Sequence, residues 1–282
     1  MGKKSRRKGE KKARMPYVAR TFEGLAGELD LVALREFVPS ATGTVTLAEG
    51  VEGAGREIQV CSLLPGNGAG LVRPDGQIWV GLQVLHNHGD ISRDYAGIIE
   101  TALTLEPGQP VAVSDPGVGP RLQELLVTDA PFEVTVHEGF DFWLEGVEAG
   151  DQARALLEQA NASAAPTVKL DGVEAAYWTQ MGERRFLRWV QPHDESTLLD
   201  AFARLHAAGE DHLGEGVRLI GMFRAHGLLV PVWETDGEAA ALEEPAVALK
   251  ARIDEALADT SDLTAEQRDA RSGLANRQLT IR

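Results

Sequence analysis

The run IWVGLQVLHNHGDISRDYAGIIETAL, Ile78 to Leu103, decides how the rest of the chain reads. It begins as an apolar strand, passes through a polar turn carrying His86 and His88, and ends in an amphipathic helix. The helix is predicted to start at Asp90 or Ser92, both good N-caps. It should bury Tyr95, Ile98, Ile99 and Leu103, which recur at helical spacing. From Asp90 to Asp194 is 104 residues (194 − 90), and there the same order returns in FLRWVQPHDESTLLDAFARL, Phe186 to Leu205. An aromatic strand, a histidine turn and an Asp-led helix again follow one another, with Leu198, Leu199, Phe202 and Leu205 on the apolar face.

Working outward from the first unit, Asp75-Gly76 is a hairpin signal that pairs Leu71-Val72 with the strand from Gln77. Before it lie strands at Thr44 to Leu47 and Arg56 to Leu64, and a helix from Glu28 whose apolar residues include Leu29, Val32, Leu34 and Phe37. Pro39 stops that helix. After it, Val111 to Val113 reads as a strand, Pro120 opens a short helix, and Phe132 to Val136 and Gly139 to Leu144 read as strands. A helix over 149–161 leads to Ser-Ala-Ala-Pro166, a candidate linker. Strands follow at Thr167 to Leu170, Ala175 to Gln180 and Arg184 to Val190, then a hairpin around Ala225-His226-Gly227. Helices over 245–258 and 264–275 look largely solvent-facing. The predicted class is α+β: two similar lobes of mostly antiparallel strands with helices on one face. The boundaries are a disordered basic arm over 1–16, lobes over 17–163 and 167–236, and a helical C-terminal segment over 238–282.

Charge divides the chain more sharply than hydropathy does. The whole sequence has 28 Lys and Arg against 43 Asp and Glu. Residues 1–14, MGKKSRRKGEKKAR, hold eight of the bases (Lys3, Lys4, Arg6, Arg7, Lys8, Lys11, Lys12 and Arg14) and one acid, a charge of +7. The remainder therefore carries 28 − 8 = 20 bases against 43 − 1 = 42 acids, or −22. An acidic body repels nucleic-acid phosphate at long range, whereas a polybasic arm attracts it. The arm thus reads as lying along RNA or DNA phosphates, or as a solvated tail that aids solubility or docks on the acidic body of the same molecule. Its one cysteine, Cys61, sits in the apolar run IQVCSLL and reads as a buried thiol. No stretch is long and apolar enough for a membrane span, and no secretory leader is expected. The default compartment is the cytoplasm.

Reactive chemistry is thinly signalled. His86-Asn-His88, with Asp90, is the nearest approach to a metal motif, but the turn-like NHGD spoils the strand geometry that would aim both histidines one way. His193 holds the equivalent place in the second unit, so a cleft between the lobes bounded by His86, His88, Asp90 and His193 is the candidate site for an enzyme or a small-molecule binder. Gly66 to Gly70 lacks the following helix that a phosphate cradle needs, and Asp115 to Gly119 lacks a lysine. Glu133, Glu138, Asp141 and Glu145 alternate with aromatics as the wet face of strands would. Arg184, Arg185 and Arg188 among Phe186 and Trp189 could contact RNA, though pairing with local acids suits an acidic body better. No nucleophile elbow or zinc-protease motif occurs. No metal and no cofactor is expected.

The opening MGKKSRRKGEKKAR, the run FEGLAGELDLVALREFVPSATGTVTL over 22–47 and HNHGDISRDYAGIIE over 86–100 together resemble a family of uncharacterised actinobacterial proteins of this length. Names attached to similar proteins, SecA-like or topoisomerase, find no support in the residues: there is no Walker loop and no topoisomerase scale. The resemblance implies a bacterial cytoplasmic protein and carries over no catalytic residue. The expectation from the residues themselves is a non-enzymatic binding protein. Its arm would contact RNA, on the ribosome in particular, and its acidic body would contact protein.

Overall fold

The computed structural model describes residues 16–85, 87–148 and 150–276. Two five-stranded sheets form, with seven α-helices among the described residues. The first sheet contains β1 (Ala41–Thr46), β2 (Glu57–Cys61), β3 (Gly70–Val72), β4 (Ile78–Gly81) and β5 (Thr135–Val136), in the order β3-β4-β2-β1-β5. Its pairs are antiparallel except β2 with β4, where Ile58 lies beside Ile78 and Val60 beside Val80 in parallel. The second sheet contains β6 (Thr167–Lys169), β7 (Ala176–Met181), β8 (Arg184–Trp189), β9 (Arg218–Ala225) and β10 (Leu228–Thr235), ordered β6-β7-β8-β10-β9 and antiparallel throughout. The predicted α+β class with two lobes is therefore what the chain adopts.

The two strand–helix units form as the periodicity requires. α2 (Ile91–Leu103) is capped by Asp90, whose side chain accepts from Ser92 N at 3.1 Å, and it buries Tyr95, Ile98 and Ile99. α5 (Glu195–Ala208) is capped by Asp194, which accepts from Ser196 N and Thr197 N, and it ends on Gly209 in the left-handed conformation. The copies then diverge. On its far side β4 takes β2 in parallel, whereas β8 takes β10 antiparallel. What recurs is the hairpin followed by a helix, not the sheet around it.

Period-2 alternation explains how the second sheet is buried on both faces. Tyr177, Val190, Phe223, Leu228, Val230 and Val232 face the first lobe, and Trp178, Leu187, Trp189, Met222, Leu229 and Trp233 face the opposite way. The first set merges into one core with α1 (Glu28–Glu36) and the inner face of the first sheet, Ile58, Val60, Ile78 and Val80. α1 lies between the lobes, which is why even Glu28 and Asp30 are buried along with Leu29, Val32 and Leu34. The opposite face of the second sheet is covered by α5, α6 (Glu243–Ala258) and α7 (Ala265–Asn276).

Several predicted elements are corrected. α6 is integral to the second core: Ala246, Leu249, Ile253 and Ala256 recur at helical spacing and are buried, so it is no solvent-facing appendage. Gly139 to Leu144 is not a strand but a three-ten turn over Asp141–Leu144. Phe140 and Trp143 pack at 4.5 Å with their rings tilted and both bury against Cys61 and Trp79; a spacing of three puts them on one side only in a helical turn. Trp143 is accordingly outside any strand, unlike Trp79, Trp178, Trp189 and Trp233. Val111 to Val113 forms no strand, and only Pro110 makes a bridge, to Leu71. Phe132 to Val136 shortens to β5, and the helix expected over 149–161 is α4 (Asp151–Ser163). The expected Pro120 helix is a single turn, α3 (Leu122–Leu125).

Candidate functional site

Of the residues singled out in sequence, the arm with Lys3, Lys4, Arg6, Arg7, Lys8, Lys11, Lys12 and Arg14, and the turn residue His86, lie outside the described residues. Asp90 is buried and structural. Besides capping α2 it accepts from Arg121 Nε at 2.9 Å and has Arg93 Nε at 3.3 Å. Arg121 in turn donates to Thr21 O at 3.1 Å, tying the N-terminal segment to the start of α2. His88 turns to Asp94 instead: Nδ1 is 2.9 Å from Oδ1, and the backbone N donates to Oδ2 at 3.0 Å. His193 looks toward α6, where burial and Lys250 lower its pKa and Asp254 opposes them. The two histidines are thus drawn to separate partners. Among the described residues no group of three or more His, Cys, Asp or Glu is placed to hold a metal ion.

The lobes pack tightly where α1 meets the second sheet. Phe37 meets Tyr177 edge-on at 6.0 Å and Phe223 at 5.9 Å, and the Arg188 guanidinium lies 5.6 Å from the Phe37 ring. Asp30 accepts from the Tyr177 hydroxyl at 2.6 Å and from Lys169 Nζ at 2.7 Å. At the other end His226 occupies the two-residue turn between β9 and β10 with φ 48°, followed by Gly227 at φ 81°. Its Nδ1 shares a 2.7 Å hydrogen bond with Thr21 Oγ1, and its Nε2 lies 2.9 Å from Glu36 Oε1. Burial pushes the Glu36 carboxyl up, but its hydrogen bond and charge pairing with His226, helped by Arg35, outweigh that and leave it below the ordinary value. A depressed carboxylate adds stability above its unfolded pKa, about 4.3, and loses it as acid protonates the folded form. Urea midpoints measured from pH 6 down to 3 should fall more steeply for the native chain than for Glu36→Gln, and parallel curves would refute the contribution.

The arginines of β8 are all engaged. Arg184 pairs with Glu234 at 2.7 Å, Arg185 with Glu238 at 2.8 Å, and Arg188 is buried deeply enough for its pKa to fall. Elsewhere on the second lobe Arg204 pairs with Asp259 and Arg224 with Glu195. These pairs neutralise their basic side chains locally, and Arg188 of β8 is buried rather than facing an open groove.

A cavity does open on the outer face of the first sheet. The register that points Ile58, Val60, Ile78 and Val80 inward turns Thr42, Gln59, Cys61, Leu71 and Trp79 outward. Half of this outer face is roofed by Phe140 and Trp143, which cover Cys61 and Trp79; burial raises the Cys61 thiol far above its ordinary pKa, leaving it inert. The other half stays open as a cavity of about 300 Å3 between Thr42, Gln59, Arg73, Trp79, His137 and Phe142, with Asp75, Gln77 and Glu145 also lining it. Arg73 holds the roof in place. It donates from Nη1 to Trp143 O at 3.1 Å and from Nη2 to Glu145 O, and its guanidinium covers the Trp79 ring at 4.2 Å. His137 shares a 2.9 Å hydrogen bond with Thr42 and stacks on Phe142 at 4.5 Å; burial lowers its pKa, with Glu145 pulling the other way. Sequence reading missed this site. The available signal was the alternation in EIQVC, which sends Gln59 to the face opposite Ile58 and Val60.

Residues 21–282 match the family described as "Family of unknown function (DUF5926)", which covers nearly the whole chain, and the chain belongs to that family. No curated protein and no solved structure matches it.

Proposed function

We propose that this member of the family is a non-enzymatic cytoplasmic binding protein, with its basic arm contacting RNA on the ribosome and its acidic body contacting protein. The observation that carries the reading is the charge division, +7 over residues 1–14 against −22 over the rest. Ion pairs of the body fit it, because Arg184, Arg185, Arg204 and Arg224 have their charge offset locally by Glu234, Glu238, Asp259 and Glu195, which weakens their pull on phosphate. No helix among the described residues is long and apolar enough to cross a membrane.

Binding of this kind is driven by counterion release and is therefore steep in salt. Ribosome co-sedimentation of the full chain should weaken by about 10³-fold between 50 and 200 mM salt if six or more phosphates are engaged. Removing residues 2–14 should abolish it at low salt. Unchanged sedimentation of the shortened chain would refute the proposal. An arm that instead docks on its own body would show as no ribosome binding by either form.

A further inference from the structure

We infer that the cavity between Thr42, Gln59, Arg73, Trp79, His137 and Phe142 is a binding site for a small neutral polyhydroxylated molecule, of monosaccharide or polyol size. Its volume of about 300 Å3 lies at the lower end of ligand-binding pockets, which limits the occupant to a small molecule. The site is built rather than incidental. It sits on the rigid strands β1, β2 and β4, and Arg73, buried in its wall, fixes the overlying turn through two main-chain carbonyls. Arg73 Nε is itself buried without a hydrogen-bond partner, its nearest carboxylate being Asp75 at 3.7 Å.

The chemistry of the lining selects the ligand class by elimination. A flat aromatic ligand needs a free ring face, but Trp79 is buried with Arg73 over its ring, and Phe142 packs against both His137 and Trp79. An anion needs a free cation, but Arg73 spends Nη1 and Nη2 on Trp143 O and Glu145 O, its remaining Nε lies 3.7 Å from the Asp75 carboxylate, and a second carboxylate, Glu145, also lines the cavity. What remains is a mixture of acceptors and donors: the two carboxylates, the Thr42 hydroxyl and His137 imidazole, which pair with each other, and the amides of Gln59 and Gln77. Gln59 Nε2 is used by Gly43 O and Gln77 Oε1 by Trp79 Nε1, while Gln59 Oε1 and Gln77 Nε2 are left over. Adjacent hydroxyl groups can each donate and accept, and so pair with such a set without placing charge in it.

Saturation-transfer NMR on the full chain, with D-glucose, myo-inositol, adenosine and arginine as probes, tests the inference, and phosphorus line broadening reports inorganic phosphate. Glucose or inositol should receive saturation. Thr42→Val, which removes the hydroxyl and keeps the shape, and Gln59→Leu should each weaken that binding about tenfold, equivalent to about 1.4 kcal/mol. Thr44→Val, exposed on the same strand, should leave it unchanged, and thermal melts identify any variant that fails to fold. Selective binding of adenosine, phosphate or arginine, polyol binding that survives both folded pocket variants, or no binding of either polyol at millimolar concentration would overturn the inference. These readouts do not depend on the arm or on ribosomes, so this inference and the proposed function fail separately.

Discussion

Phe37→Ala should destabilise the protein by about 3–5 kcal/mol, the cost of removing a large aromatic from a packed core. Phe37 is 7 % exposed and stands at the junction of both lobes, edge-on to Tyr177 and Phe223 and beneath Arg188. The cavity left behind has no simple way to collapse, because its walls belong to a helix on one side and a five-stranded sheet on the other. Urea unfolding followed by tryptophan fluorescence would measure the loss. The same experiment tests the shared core. Four of the five tryptophans lie in strands of the two sheets, Trp79 in the first and Trp178, Trp189 and Trp233 in the second. If Val190, Phe223 and Val230 truly belong to one core with Ile58 and Val80, fluorescence and far-UV circular dichroism should report a single coincident transition, and Phe37→Ala should move both together. A variant that shifts the midpoint by less than about 1 kcal/mol, or two separated transitions in the native chain, would mean that the lobes stand independently.

The local units were legible because each is encoded by one short-range pattern. Asp90 before Ser92 and Asp194 before Ser196 cap helices as their composition requires, and Leu198, Leu199, Phe202 and Leu205 all bury. The hairpin strands around Asp75-Gly76 and Ala225-His226-Gly227 also form where the turn chemistry puts them. What could not be read was which elements share a neighbour. The burial of Glu28 and Asp30 depends on Arg20, Lys169 and Tyr177, of which the last two lie well over a hundred residues away. The parallel pairing of β2 with β4 needs a crossover through β3 that no local periodicity announces. The same holds for the cavity: its floor comes from β1, β2 and β4, its roof from a turn near residue 142, and its clamp from Arg73. Around the histidine turn the reason is local. Asp90 and Asp94 are close enough in sequence to be used by their own helix, one as its cap and one as the partner of His88.

That use makes Asp90→Ala the sharpest separation of structure from function in the stretch Ile78 to Leu103. Three interactions end on one buried carboxylate: the cap to Ser92 N, the hydrogen bond from Arg121 Nε, and the charge contact with Arg93 Nε. Loss of a cap costs about 1 kcal/mol. Breaking a buried pair costs about 3–5 kcal/mol when the abandoned charge stays dry. Arg121 and Arg93 keep side-chain exposures of 22 % and 20 %, so water can recover part of that cost. The expected total is therefore about 2–4 kcal/mol, less than the sum of the two. Asp90→Asn keeps a side-chain oxygen for Ser92 N and gives up the charge, so it should recover roughly the capping share and no more. Because the carboxylate is buried, the loss should persist at high salt, where an exposed ion pair would already be screened. Chemical denaturation of the native chain and both variants at low and high salt decides it. A loss within about 0.5 kcal/mol would assign Asp90 no such structural burden and return it to the pool of residues free to meet a ligand.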